Sequence, residues 1–186
     1  MASAFSHAIT AYAIGRGMSM RESLKFWLLG ITCAVLPDAD VIGFRLGIPY
    51  GHPFGHRGFT HSFLFALLLA LFVVKVFCGQ HNFFSREGLL LLVYFFLATA
   101  SHGILDALTN GGLGVEFFYP FSTHRYFFPF RPVQVSPLDA GSFFSRRGIA
   151  ILKSEFIWIW IPSLAVILFS FLVRRKKREG LSGNTN

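Results

Sequence analysis

Apolar positions along the 186-residue chain gather into runs, with the polar positions in the gaps between them. Phe26 to Pro37 is short, and Ser62 to Val74 continues to Cys78 with only Lys75 inside it. Gly88 to Leu108 is interrupted by His102 and Asp106, and Phe156 to Val173 carries no charge. The last two runs are long enough for a hydrocarbon core of about 30 Å, which takes roughly 20 residues of helix; the first two are marginal alone. A weaker segment, Ala2 to Gly15, carries His7 and reads as a half-buried helix or a further span. From Thr109 to Leu152 the texture changes to Gly111-Gly112, Pro120, Pro129, Pro132, Pro137 and many aromatics, which predicts an irregular loop lying over the helices. The pattern predicts an all-α, polytopic membrane bundle of four or five helices with an irregular outer loop. One domain covers residues 1–178, and 179–186 is expected to be a disordered cytoplasmic tail.

Composition sharpens this picture. Hydrophobic residues make up 53% of the chain and charged ones 14%, against about 25% charged in an ordinary soluble domain. Phe alone supplies 24 residues, more bulky apolar surface than a soluble domain of this size can bury. The net charge of +8 is not one basic face: Arg174, Arg175, Lys176, Lys177 and Arg178 follow the last apolar run directly. Such a cluster is a membrane-topology signal, and no nucleic-acid partner is expected. Cys33 and Cys78 lie in separate apolar runs and read as small buried hydrophobes, not as a disulfide or thiolate site. The start of the chain lacks the basic stretch of a cleavable signal peptide.

Charge also predicts orientation. With the Arg174–Arg178 cluster in the cytoplasm, the loops containing Arg16, Lys25, Lys75 and Arg86 are inside. The loops 38–60 and 109–155 are then outside, and every His and Asp except His81 falls on the outer side. The expected location is the bacterial inner membrane, multi-pass, with the C-terminus cytoplasmic.

Among these outer groups, His102-Gly-Ile-Leu-Asp106 has a spacing that puts both side chains on one helix face, where both can reach one ion. The alternative is a His–Asp pair that only locks two helices. His56-Arg-Gly-Phe-Thr-His61 leads into an apolar run, with Thr60 as the expected N-cap and His61 on the first turn. Pro37-Asp38-Ala39-Asp40 ends another run with a pair of acids suited to divalent cations. His7 is a lone histidine on an apolar segment, and His52, His124 and Asp139 fall in loops. A set of imidazoles and carboxylates without thiolate suits zinc, manganese or iron in a hydrolytic site. Arg57, Arg125 and Arg131 are placed to hold an anionic substrate; the alternative for the Arg125–Arg131 segment is an aromatic belt.

On Ser6-His7-Ala8, Pro37-Asp38-Ala39-Asp40, His56-Arg57-Gly58-Phe59-Thr60-His61-Ser62 and Ser101-His102-Gly103-Ile104-Leu105-Asp106 with Asn110-Gly111-Gly112, the sequence resembles the YdjM family of bacterial inner-membrane proteins. The resemblance covers residues 1 to about 175 and implies a metal-dependent hydrolase. The order of motifs is also similar to zinc-dependent phospholipase C and the single-strand nucleases related to it. That similarity implies metal ligands at His7, Asp38 or Asp40, His61, His102 and Asp106, with Asp106 able to bridge two ions. Only His124 follows the His102–Asp106 motif, and no second motif of that kind, so one or two ions are expected rather than three.

The reading is therefore a membrane-bound hydrolase with metal ligands His7, Asp38, His61, His102 and Asp106. Metal-activated water attacks an ester, a phosphoester foremost, in a membrane lipid or other small anionic amphiphile, with Asp40 or His56 as general base. The rivals are a metal or ion transporter, and a non-enzymatic membrane protein in which the His–Asp pairs are structural.

Overall fold

The computed structural model describes residues 1–20, 23–79, 82–137 and 146–182; His81 and Asp139 lie outside them. Four helices begin on a serine whose side chain accepts a backbone N–H of the first turn: α1 (Ala4–Gly17) on Ser3, α2 (Leu24–Val35) on Ser23, α4 (Phe63–Phe77) on Ser62 and α5 (Arg86–Ala107) on Ser85. Thr60 is thus not the cap of α4. It lies in a short 3-10 turn, Phe59–His61, just before Ser62, and its hydroxyl turns to Asp40 instead.

Proline shapes the end of α2. Pro37 has no N–H to continue the helical ladder, and the chain tightens into a 3-10 helix, Leu36–Val41, before the single turn α3 (Ile42–Arg45). That tighter winding carries both Asp38 and Asp40 inward. After the irregular stretch the chain re-enters helix at Arg146, so the expected loop is shorter than its sequence suggested. Helix α6 (Arg146–Glu155) passes through one π-helical turn (Phe156–Trp160) into α7 (Ile161–Ser182). The last helix runs four residues past the expected boundary at 178.

Three stretches are long and apolar enough to cross a membrane: Leu24–Arg45, Arg86–Ala107 and Gly148–Lys177. Helix α4, at 15 residues, is about 22 Å long and falls short of a full span. Helices α1, α2, α4, α5 and α7 alternate in direction, and α5 packs against α1, α2 and α4 while α7 packs on α1. The alternation brings together the start of α1, the end of α2, the start of α4, the end of α5 and the start of α7.

The middle of the bundle is apolar, with Phe26, Cys33, Val73, Val74, Tyr94 and Phe95 buried together. Leu68 and Phe72 on α4, Leu90 and Val93 on α5, and Leu168 and Phe169 on α7 stay exposed, the surface a bilayer covers. Among the described residues there is no strand, only isolated bridges pairing Thr109 with Val133 and Val115 with Tyr126 in the irregular segment. That segment lies across the gathered helix ends, where Phe117 stacks on Phe63 at 5.1 Å.

Candidate metal centre

Asp38, His61, His102 and Asp106 converge at this end of the bundle, and one donor atom from each lies within 4.8 Å of all the others. Each comes from a different turn of structure. Asp38 comes from the 3-10 turn after Pro37, His61 from the turn before the Ser62 cap, and His102 and Asp106 from one face of α5. All four are buried.

The ring tautomers follow from the partners. His102 Nδ1 lies 2.7 Å from the Ala34 carbonyl oxygen, which only accepts, so Nδ1 carries the hydrogen. The Thr60 hydroxyl donates to Asp40 Oδ2 at 2.7 Å, so its oxygen accepts from His61 Nδ1 at 3.0 Å, with Asp40 Oδ2 a further 3.2 Å from that nitrogen. Both rings therefore turn a bare Nε2 toward the same point, and those two nitrogens stand 3.1 Å apart. Two lone pairs at that distance repel unless a cation lies between them. Asp38 Oδ1 is 3.2 Å from His102 Nε2 and 3.7 Å from His61 Nε2, yet it has no hydrogen bond. Asp106 Oδ2 is 3.7 Å from His61 Nε2. With zinc–nitrogen bonds of roughly 2.0–2.1 Å, ligand atoms around a tetrahedral ion sit about 3.3 Å apart. The donors present therefore fit an ion, and each imidazole donates its other N–H away from the site as metal-binding histidines do.

Charge supports the same fit. Three buried carboxylates, Asp38, Asp40 and Asp106, face one buried guanidinium, Arg57. The N-terminal amino group also lies near Asp106, and even with it charged the carboxylates are in excess, which favours a bound cation. Without an ion a proton takes part of that role: burial alone would lower the His61 pKa, but Asp106, Asp38 and Asp40 around it raise it to about 10.

Five ligands were expected from the sequence, and His7 stands apart from the four that converge. Its ring stacks on His102 with centroids 3.7 Å apart, and its Nε2 is 3.8 Å from Asp106 Oδ1. Neither of its nitrogens has a hydrogen-bond partner although the residue is fully buried.

Asp40 and His56, the expected bases, lie behind His61. Asp40 Oδ1 pairs with His56 Nδ1 at 2.7 Å, while Oδ2 takes Thr60 Oγ1, the Arg57 backbone N–H and His61 Nδ1. Asp40, His56 and His61 form a second set of donors within 4.8 Å of one another.

Arg57, expected to hold an anionic substrate, is turned inward. It is fully buried with φ +64°, and its guanidinium donates to Asp106 Oδ2 at 2.9 Å, Thr109 Oγ1 at 3.0 Å and the Gly111 carbonyl at 2.8 Å. The left-handed backbone costs on the order of 1 kcal/mol, which these three anchors hold in place. Arg125 pairs with buried Glu116 at 2.8 Å and donates to the His56 carbonyl, tying the irregular segment to the site loop. Arg131 stays exposed, with its guanidinium over the Phe127 ring. His52 and His124 are exposed loop residues.

Two contributors escape sequence reasoning. The Ala34 carbonyl has no side-chain signal at all. Glu155, fully buried, accepts from Ser3 N, Ser3 Oγ and Ser6 Oγ. It thereby fixes the chain beside Ala2, whose N–H donates to Asp106 Oδ1 at 2.7 Å. A lone acid beside the last apolar run was its only trace in the sequence.

The comparisons with known proteins agree with this architecture. A family described as "YdjM inner membrane protein" matches residues 1–178. Inner membrane protein YbcI of Escherichia coli (strain K12) is 36% identical over 172 residues, covering 90% of this chain and 95% of that protein. No solved structure matches. An inner-membrane location fits both the relative and the apolar helices. A helical membrane bundle with a buried His/Asp cluster able to hold a metal ion, this chain belongs to the YdjM family of inner membrane proteins.

Proposed function

We propose that the chain is a membrane-embedded, metal-dependent hydrolase that cleaves an ester, a phosphoester foremost, in a lipid-like amphiphile. The observation that carries this reading is the pair of Nε2 atoms 3.1 Å apart, each aimed by a fixed Nδ1–H and joined by an unpartnered carboxylate oxygen of Asp38. A divalent ion there, zinc or else manganese or iron, supplies a Lewis acid and a bound water acidic enough to react near neutral pH.

The protein's own residues do the rest. His61, His102, Asp38 and Asp106 hold the ion. The Ala34 carbonyl orients His102, and Asp40 with Thr60 orients His61, so Asp40 and His56 act as positioning residues through that ring. Arg57 donates to Asp106 Oδ2 and so aims that carboxylate. A transporter needs polar groups along a path through the membrane, but the buried middle of this bundle is apolar. A lock made by the His102–Asp106 motif would pair those two side chains, whereas His102 Nδ1 faces the Ala34 carbonyl and its Nε2 faces His61 Nε2 and Asp38 Oδ1.

The basic residues favour an outward-facing site. Lys25 reaches the Phe77 carbonyl, and Arg174 and Ser170 reach the Arg16 carbonyl, at the end opposite the cluster. Positive charge there supports a cytoplasmic C-terminus. A cytoplasm-active reporter fused to the C-terminus is expected to be active; an inactive one reverses the orientation.

The deciding test is metal content by mass spectrometry of gently purified wild type beside His61→Ala and His102→Ala, together with turnover of a chromogenic phosphodiester. The expected result is about one or two ions in the wild type, as a His/Asp site of this kind holds, with metal and turnover lost together in both variants. Metal-free wild type would refute the reading, and bound metal with no esterase or phosphoesterase turnover would confine it to metal binding.

A further inference from the structure

We infer that a groove between the start of α1 and the turn after α2 is a lateral entrance, by which one hydrocarbon chain of a membrane amphiphile lies against the protein with its ester at Asp38. This rests on the hydrolase reading and names its substrate class: a single linear chain with an ester or phosphoester at its first carbons.

The groove is lined by Met1, Ala4, Ile31, Thr32, Val35, Leu36 and Ala39, with Asp38 in its wall. Its volume of about 580 Å³ lies within the roughly 300–1,000 Å³ of small-ligand sites. Among the described residues that line it, Asp38 carries the one ionisable side chain, and Met1 carries the N-terminal amino group. That carboxylate is 9% exposed, and its Oδ1 has no hydrogen-bond partner while standing 3.2 Å from His102 Nε2. The same side chain therefore belongs to the wall of the groove and to the metal centre. A ligand in the groove would contact its apolar lining and, through Asp38, the ion-binding donors.

What lies outside the groove identifies the occupant. Phe5 on α1, Leu28 on α2 and Ile42 on α3 are each more than half exposed, so the groove is flanked by apolar surface of the kind a bilayer covers. Leu24–Arg45, which supplies most of the lining, is one of the candidate spans. A ligand arriving here comes from lipid, not from water. A mostly apolar groove with one carboxylate in its wall suits a chain with one polar head, not a polar metabolite and not a folded partner.

The test uses the full chain in lipid nanodiscs and a phosphocholine monoester bearing one alkyl chain with a diazirine near its head. A matching alkyl phosphate forms the second arm. After irradiation, labelled peptides are mapped by mass spectrometry. Label is expected to concentrate on residues 31–39 over the lipid-facing surface of α7. Thr32→Trp fills the groove, and Ala39→Leu narrows it with less risk to folding. Each is expected to cut labelling of that segment about tenfold while leaving metal content unchanged. Preference between the arms identifies the headgroup. Label spread evenly over α2 and α7, or unchanged by both substitutions, would overturn the inference even if the protein carries metal. Groove-dependent labelling of a metal-free protein would instead keep the entrance and refute the hydrolase reading.

Discussion

In the middle of the bundle Phe26 stacks on Tyr94 at 4.4 Å, and Val73, Val74 and Phe95 close around them. Two turns further along α5 the same helix carries His102 and Asp106, and one turn beyond Cys33 the path of α2 carries Asp38. The two regions are equally buried and share their helices, but they hold together differently. The apolar region depends on shape, and any neighbour of the right volume serves. The polar region depends on partners: Asp40, Arg57 and Asp106 are each matched to named donors or acceptors, while two Nε2 atoms and Asp38 Oδ1 bound a gap and neither His7 nitrogen has a hydrogen-bond partner. Burying such groups is costly and lowers stability unless they are paired, so a fold that retains them beside a dry core is using them.

Asp106→Ala is the change expected to separate the two regions most. It removes a donor of the metal set and leaves the Arg57 guanidinium buried without its carboxylate. Breaking a buried pair in this way costs about 3–5 kcal/mol. Metal content should fall to background and thermal melting in detergent should drop sharply, by more than for His102→Ala. Equal melting of the two variants would mean that Arg57 does not depend on Asp106.

The response to pH should also differ, because the apolar region has no group that titrates near neutrality. In metal-free protein the pKa of His61 is raised from its ordinary 6.5 to about 10. The stability that its proton supplies is fully present below 6.5 and is lost as pH rises toward 10. A bound ion replaces that proton, so the metal-loaded protein should melt at nearly the same temperature across this window. Binding should release protons, and affinity should rise by at most about tenfold per pH unit while His61 is protonated. Calorimetry in buffers of different ionisation enthalpy would detect the release. Parallel melting curves for the two forms would count against an ion at His61.

Gly30→Ala probes the apolar side alone. A Cβ at Gly30 would collide with the Tyr94 hydroxyl, and Tyr94 is fully buried with no room to swing aside. Overpacking of this kind costs about 1–3 kcal/mol. Metal content should not change. Loss of metal together with melting would show that the two regions fold as one unit and that the contrast between them is only one of composition.

The contrast was partly legible in the sequence. The apolar runs located the helices to within a few residues, and the spacing of His102 and Asp106 put them on one face of α5. The ends of the helices were less readable, because several residues there act through contacts distant in sequence. Arg57 read as an arginine for an anionic substrate, and the partner that its side chain takes, Asp106, is 49 positions away. Thr60 had the chemistry of a cap, yet Ser62 is the cap and the Thr60 hydroxyl serves Asp40, 20 positions back. The Ala34 carbonyl is backbone, and no side-chain pattern announces it.

Asp40→Asn tests the smallest expected effect and the finest point of the comparison. Asp40 holds none of the four donors that converge, and it reaches the centre only through His61 Nδ1 and the Thr60 hydroxyl. An asparagine keeps the shape and leaves one oxygen to accept, but it removes the charge that favours the Nδ1–H tautomer. Loss of such an outer partner typically weakens metal affinity by about 10–100-fold. The variant should therefore fold, bind metal at raised concentration and release it more readily to a chelator, while Asp106→Ala binds none. His56→Gln, which removes the other support of Asp40, should move affinity in the same direction by less, since Asp40 Oδ2 keeps its Thr60 and Arg57 contacts. Unchanged affinity in Asp40→Asn would mean that His61 is oriented by packing alone. Complete loss equal to that of Asp106→Ala would make Asp40 a ligand in its own right and move the second donor set, Asp40 with His56 and His61, from support to a second ion site.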